Sequence, residues 1–211
     1  MKISETIVVQ WCIILILGIV SYLLTRNLKR IPNKKQVVLE ALYSYAKGLV
    51  DNNMGDSFKS YLPYVGTLVV YLMAMNLTGL IGIEPPTRDV SVTAALGLTS
   101  FLIVNLTAMK RKGVWGYTKA LGKPYLLMLP LNILERLTLP ISLALRLYGN
   151  MYAATLLIGL VYDALNSFAF GIAQIGLPII VHGYFDLFDG TIQMMVFTML
   201  TIINIKITAE H

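Results

Sequence analysis

The chain has 211 residues, a mean hydropathy of +0.70 and only 13% charged side chains, about half the charged fraction of a soluble domain. That composition excludes a water-soluble enzyme and points to an integral membrane protein. The net charge of +6 is no nucleic-acid footprint, because the basic residues are gathered in two polar segments and nearly missing from the others.

The first apolar run, Ile7–Leu24, is long enough to cross a hydrocarbon core about 30 Å thick, which takes about 20 helical residues. It differs from a secretion signal in its length, in lacking a small-residue cleavage site and in carrying its positive charges after the apolar run, so a mature helix is expected. Within it lies the only cysteine, Cys12, which rules out an intrachain disulfide or a cysteine metal cluster and is expected to pack in the core. After the polar turn "RNLKRIPNKK", residues 36–53 place Val38, Leu42, Tyr45 and Leu49 on one face and Glu40, Ser44, Lys47 and Asp51 elsewhere. This is the pattern of an amphipathic surface helix. Its apolar face suits either packing on its own bundle or docking of another subunit.

The second run, Tyr61–Ile83, ends in "NLTGLIG" and breaks at Pro85-Pro86. The third, Val92–Met109, starts after "TRDVS", where Asp89 and Ser91 can cap a helix, and stops at "KRKG". No internal repeat of the kind that marks many secondary transporters is present. The last two runs, Tyr125–Asp163 and Phe168–Thr208, have 39 and 41 residues. As helices they would be about 60 Å long, twice the hydrocarbon thickness. Either they are broken at Pro130, Pro140 and Pro178, or they lie strongly tilted. Neither holds a short loop for a re-entrant turn, so a long tilted helical hairpin is expected. The expected fold is an all-α polytopic membrane protein in a single domain, 1–211. Its five membrane-embedded helices cover 7–24, 61–83, 92–109, 125–163 and 168–208, and an amphipathic helix covers 36–53.

Residues 25–60 carry Arg26, Lys29, Arg30, Lys34, Lys35, Lys47 and Lys59, and residues 110–125 carry Lys110, Arg111, Lys112, Lys119 and Lys123. The intervening loops, around 84–90 and 163–167, together carry one basic residue, Arg88. The positive-inside rule then sets the N-terminus outside and the C-terminus in the cytoplasm. The basic loops also favour anionic lipid.

Residues four apart share a helix face, so Ser142, Arg146 and Asn150 form one polar stripe in the fourth run. Glu135 joins it if Pro140 does not rotate the register. In the last run Asp186, Gln193 and Asn204 fall on one face, with Asp189 beside it. Amides and hydroxyls in membrane helices often only hydrogen-bond across a helix pair, for about 0.6 to 2 kcal/mol. Arg146 demands more, because a mid-helix arginine costs about 2.5–3.5 kcal/mol even on lenient insertion scales and is too far from either end to snorkel. Three roles are open to it: a partner for Asp186, a binder of an anionic substrate, or a partner for an acid on another subunit. Two other classes compete with a multi-subunit ion path. His182, Asp186 and Asp189 have an H-x-x-x-D-x-x-D spacing that could hold a divalent ion in a membrane metalloenzyme, and the chain could be a self-contained channel or transporter.

Three segments resemble subunit a of F-type ATP synthases. "PLNILERLTLPISLALRLYGNMYA" is similar to the family's signature helix, "GTIQMMVFTMLTIINI" to its last helix, and "PPTRDVSVTAALGL" to the start of its third full span. The resemblance extends over essentially the whole chain. It implies a non-catalytic, ion-translocating subunit, without cofactor or metal, in a bacterial cell membrane. Its partners would be a ring of c-subunits, b-type peripheral stalk subunits and the remaining synthase subunits. It implies two offset half-channels, most simply for protons, coupled to rotation of the ring. Arg146 matches the family's essential arginine facing the ring carboxylates, Asn150 and Gln193 the polar residues beside it, and Ser142 the serine on its cytoplasmic side. Asp186 takes the place of an ionisable residue on the outer path, shared with Asp189, while Glu135 and Asn132 would lie on the inner path. The chain departs from one familiar version at Thr155, where some members have a glutamate, so the outer proton-handling role is expected to fall to Asp186 with Asp189.

Overall fold

The computed structural model describes residues 5–26, 28–30, 32–121, 129–167 and 180–210. The architecture is all-helical, and five of its helices are long and apolar enough to cross a membrane. α1 spans Glu5–Thr25, the amphipathic α2 Lys34–Asn53, α3 Leu62–Asn76, α4 Val90–Leu121, α5 Leu129–Ser167 and α6 Gly190–Glu210. Short 3-10 segments lead into α3 at Asp56–Tyr61 and out of it at Leu77–Ile81. A π-helical stretch, Gly183–Asp189, feeds directly into α6.

α3 and α6 form the centre, with α4 and α5 on one side and α1 and α2 on the other. One apolar core joins Leu68, Val69, Leu72 and Met75 of α3 to Leu143 and Leu147 of α5 and to Met194 and Phe197 of α6. A second joins Val50 and Met54 near α2 to Val104 of α4 and to Ile202, Ile205 and Ala209 of α6. α1 stands at the periphery, with only 6% of its apolar window buried and Ile13 its one buried residue. A surface this apolar and this exposed has lipid as its solvent. Cys12, expected in the core, is exposed on this helix, because α1 touches the bundle along a single narrow line.

Two elements differ from the helical pattern of the sequence. In α2 the buried positions are Ala46 and Val50, whereas Val38 and Tyr45 stay 69% and 37% exposed. Ala46 faces Gly66 of α3, where an added Cβ would make ordinary contact with the Ala46 methyl at 3.8 Å, so the seam between α2 and α3 is lined by small residues. The membrane span of α4 stops at "KRKG" as expected, where Gly113 breaks the helix at φ 72° and ψ 160°, but helix resumes beyond the break and runs to Leu121. A positive φ of this kind favours glycine. At the other end, Asp89 Oδ1 accepts from the Ser91 N–H at 2.8 Å, so Asp89 is the cap and Ser91 lies within the first turn.

The long fourth run is one helix of 39 residues with Pro140 inside it, about 58 Å at 1.5 Å per residue. Pro130, at its second position, falls where a missing N–H is harmless. Pro140 is accommodated by its neighbour: Gly97 of α4 sits so close that an added Cβ would fall 2.7 Å from the Pro140 carbonyl oxygen and 3.2 Å from the Ala144 methyl. Pro178 and the start of the expected last segment, at 168–179, lie outside the described residues.

Candidate functional site

The inward face of α5 is Leu143, Leu147, Met151 and Ala154, all buried. Ser142, Arg146 and Asn150 lie one position earlier at each turn, about 100° around the helix, and all three are exposed. Their surroundings on that flank are apolar, with Ile141, Leu145 and Leu156 also exposed. Because α5 continues through Pro140, Glu135 joins the same exposed side. Asn132 is half-buried near the start of the helix. The neighbouring Arg136 turns away from Glu135: its guanidinium stacks 4.8 Å from the Tyr117 ring centroid and donates to Tyr117 Oη at 3.0 Å. Tyr117 in turn donates to Asn105 Oδ1.

Arg146 has no carboxylate within ion-pairing distance among the described residues. The internal Arg146–Asp186 pair allowed by the sequence is not made. Four residues on, Asn150 Nδ2 donates to Gln193 Oε1 of α6 at 2.9 Å. Gln193 is 3% exposed, so this amide pair closes the bundle beside the arginine. Thr155 turns its hydroxyl back on its own helix, donating to the Met151 carbonyl at 2.8 Å.

Asp186 pairs within its own segment. Its Oδ2 lies 2.7 Å from His182 Nδ1, one turn earlier, and the carboxylate is 3% exposed. On the far side of the ring, His182 Nε2 lies 3.3 Å from Tyr162 Oη of α5, with the two ring centroids 6.1 Å apart. The 3-10 segment after α3 covers Asp186. An added Cβ at Gly79 would sit 2.5 Å from the Asp186 Cγ, so only glycine leaves room for the buried carboxyl. Asp189 is half-buried at the end of the π-helical stretch, and Asn204 is half-buried about four turns further along.

A second buried polar set fixes this region and was not singled out from the sequence. Asn76 Nδ2 donates to the Gly190 carbonyl at 2.8 Å, and Asn76 Oδ1 accepts from Thr87 Oγ1 at 3.1 Å. Gly190 is again closely approached, with an added Cβ 3.0 Å from the Asn76 Cβ. Asn76 thus ties the junction of the π-helical stretch and α6 to the end of α3 and to the short 3-10 segment Pro86–Arg88 that carries Thr87. The available signal was "NLTGLIG" itself: an asparagine inside an apolar span needs a buried partner.

The arrangement offers a fixed guanidinium on an apolar outer flank, an amide bridge beside it, and a tyrosine–histidine–aspartate chain leading to a buried carboxyl. Such a set can move or hold a cation. Among the described residues no group of three His, Cys, Asp or Glu side chains has the geometry to hold a metal ion.

Comparison with known proteins agrees in extent with this arrangement. The signature of the family described as ATP synthase A chain matches residues 7–206. The chain is 34% identical to ATP synthase subunit a of Moorella thermoacetica, over 95% of its own length and 88% of that protein's. It is 30% identical to the sodium ion specific ATP synthase subunit a of Propionigenium modestum, over 97% and 73%. Against the Staphylococcus carnosus ATP synthase subunit a it is 31% identical, over 93% and 87%.

Proposed function

This chain belongs to the ATP synthase A chain family, and from that premise we propose that it is the stationary ion path against which a ring of carboxylate-bearing c-subunits turns. The observation that carries the proposal is Arg146, exposed on an apolar flank and without a carboxylate partner among the described residues. A guanidinium cannot shed its charge, and at membrane depth its cost calls for a counter-ion. A carboxylate on a moving neighbour supplies one intermittently.

Electrostatics then couples ion flow to rotation. At about 4 Å and an effective dielectric near 20, the guanidinium favours the ionised carboxylate by about 4 kcal/mol before desolvation. Each ring carboxyl reaching Arg146 releases its proton to the inner path, past Ser142 toward Glu135 and Asn132. A carboxylate leaving the arginine is reloaded from the outer path, which draws on Asp186, Asp189, Gln193 and Asn150. Arg146 also repels a proton attempting to cross directly between the two paths. The membrane potential supplies about 2.3 kcal/mol per charge per 100 mV.

In this reading the chain catalyses no covalent chemistry. It works in a bacterial cell membrane with its N-terminus outside and C-terminus cytoplasmic, among the c-ring, b-type stalk subunits and the rest of the synthase. The coupling ion is the proton. The test is reconstitution: vesicles containing this chain alone should show almost no ion flux, and vesicles containing the assembled membrane sector should conduct. Flux through the chain alone at the rate of the assembled sector would establish a self-contained channel instead.

A further inference from the structure

His182 touches both the buried Asp186 and the exposed Tyr162, and the route described above leaves it without a role. Resting on the ion-path reading above, we infer that His182 is the proton-exchanging group that loads and unloads Asp186, so that the outer route runs through Tyr162, His182 and Asp186.

Three observations carry the inference. The first is access: Asp186 is 3% exposed and enclosed by Gly79, while the His182 side chain remains 27% exposed. A proton bound for the carboxyl meets the imidazole first. The second is geometry. The two ring nitrogens are used on opposite sides, Nδ1 at 2.7 Å from the carboxylate and Nε2 at 3.3 Å from the Tyr162 hydroxyl. This is the arrangement that lets imidazole relay a proton across itself. The third is the backbone. His182 immediately precedes the π-helical stretch Gly183–Asp189, yet the histidine and the carboxyl one turn on remain in hydrogen-bonding register.

The transfer balances. A proton taken up at Nε2 from water beside Tyr162 makes the ring an imidazolium, and loss of the Nδ1 proton to Asp186 Oδ2 restores neutrality. The ring is left with its proton on Nε2, and once Asp186 has passed its proton on, loss of the Nε2 proton to water and uptake of one at Nδ1 restore the starting tautomer with no net change in protons. Sodium cannot follow this path, since a hard cation is carried by oxygen ligands and the middle station here is a nitrogen base. Among the described residues the charged and titratable groups near the ring are few. Asp186 and Asp189 lie on its own segment, Tyr162 and the adjacent Asp163 on α5, and the covering segment Leu77–Ile81 has none.

The test uses inverted vesicles carrying the assembled synthase. His182→Gln can still donate a hydrogen bond to Asp186 but cannot exchange a proton. ATP-driven proton pumping should fall about 100-fold, and its pH profile should differ from wild type. His182→Ala should be equally slow and be partly restored by added imidazole. Wild-type rate and pH profile in His182→Gln would overturn the relay. So would a slow His182→Ala that imidazole does not rescue and whose pH profile matches wild type, since that is the mark of a packing role. Sodium accumulation by the unaltered complex would overturn it as well. Arg146→Ala, measured alongside, separates the two readings: normal pumping there removes the parent proposal, whereas a dead Arg146→Ala beside a normal His182→Gln removes only the relay.

Discussion

Asn150 of α5 and Gln193 of α6 are joined by a 2.9 Å amide hydrogen bond, one helical turn from Arg146. The bond fixes how the arginine-bearing helix sits on its neighbour. In a membrane the alternative to this pairing is an unsatisfied amide in hydrocarbon, so the bond acts as a positional pin more than as a source of stability.

Asn150→Leu and Gln193→Leu, alone and combined, should therefore be non-additive. The coupling expected from a double-mutant cycle on thermal stability of the detergent-solubilised complex is about 0.6 to 1.7 kcal/mol. Ion pumping should drop more in either single variant than stability does. Additive effects on stability would mean that the amide pair is not formed in the assembled protein.

For Arg146, the charge and its permanence are separate requirements. Arg146→Ala, in a complex shown to be assembled, should abolish ATP-driven ion pumping. Arg146→Lys should pump poorly despite keeping a cation, because a desolvated ammonium can lose its proton and lacks the planar fork of donors. Normal coupled pumping by the alanine variant would remove Arg146 from the path.

Two glycines should respond differently to the same added methyl. At Gly97 the obstructing atom is the Pro140 backbone oxygen, 2.7 Å from the new Cβ, which cannot swing aside. Gly97→Ala should destabilise the α4–α5 contact by about 1–3 kcal/mol. At Gly79 the obstruction is the Asp186 side chain. Gly79→Ala should displace the carboxyl and slow ion translocation, with a smaller loss of stability. Thermal melts paired with pumping rates distinguish the two outcomes, and equal effects on both readouts at both positions would contradict this assignment.

The parts of the site legible in the sequence are those where a polar side chain contradicts its apolar surroundings at helical spacing. Ser142, Arg146 and Asn150 stand out in that way, and so does the opposing Gln193. Arg146's partner was not legible, since i, i+4 logic describes one helix and leaves three roles open, of which the Asp186–His182 pair removes the internal one. The Asn76, Thr87 and Gly190 set was missed because its members are widely spaced in sequence and meet only through the packing of α3 against α6. The rotation of α2 was missed for a related reason. Side-chain size favours Tyr45 as the packing residue over Ala46, but it is Ala46 and Val50 that are buried, with Ala46 facing Gly66 of α3.

A π-helical turn holds about one residue more than an α-helical turn, and Gly183–Asp189 lies just ahead of the junction with α6. Residues before the wide stretch are therefore rotated by about 100° from where a straight helix would carry them. The ionisable groups His182 and Asp186 and the amide Gln193 are clocked independently, though they share one unbroken run of chain. A straight helix could aim the carboxyl at the pocket beside Gly79 or the amide at Asn150, and the extra residue is what lets it aim both.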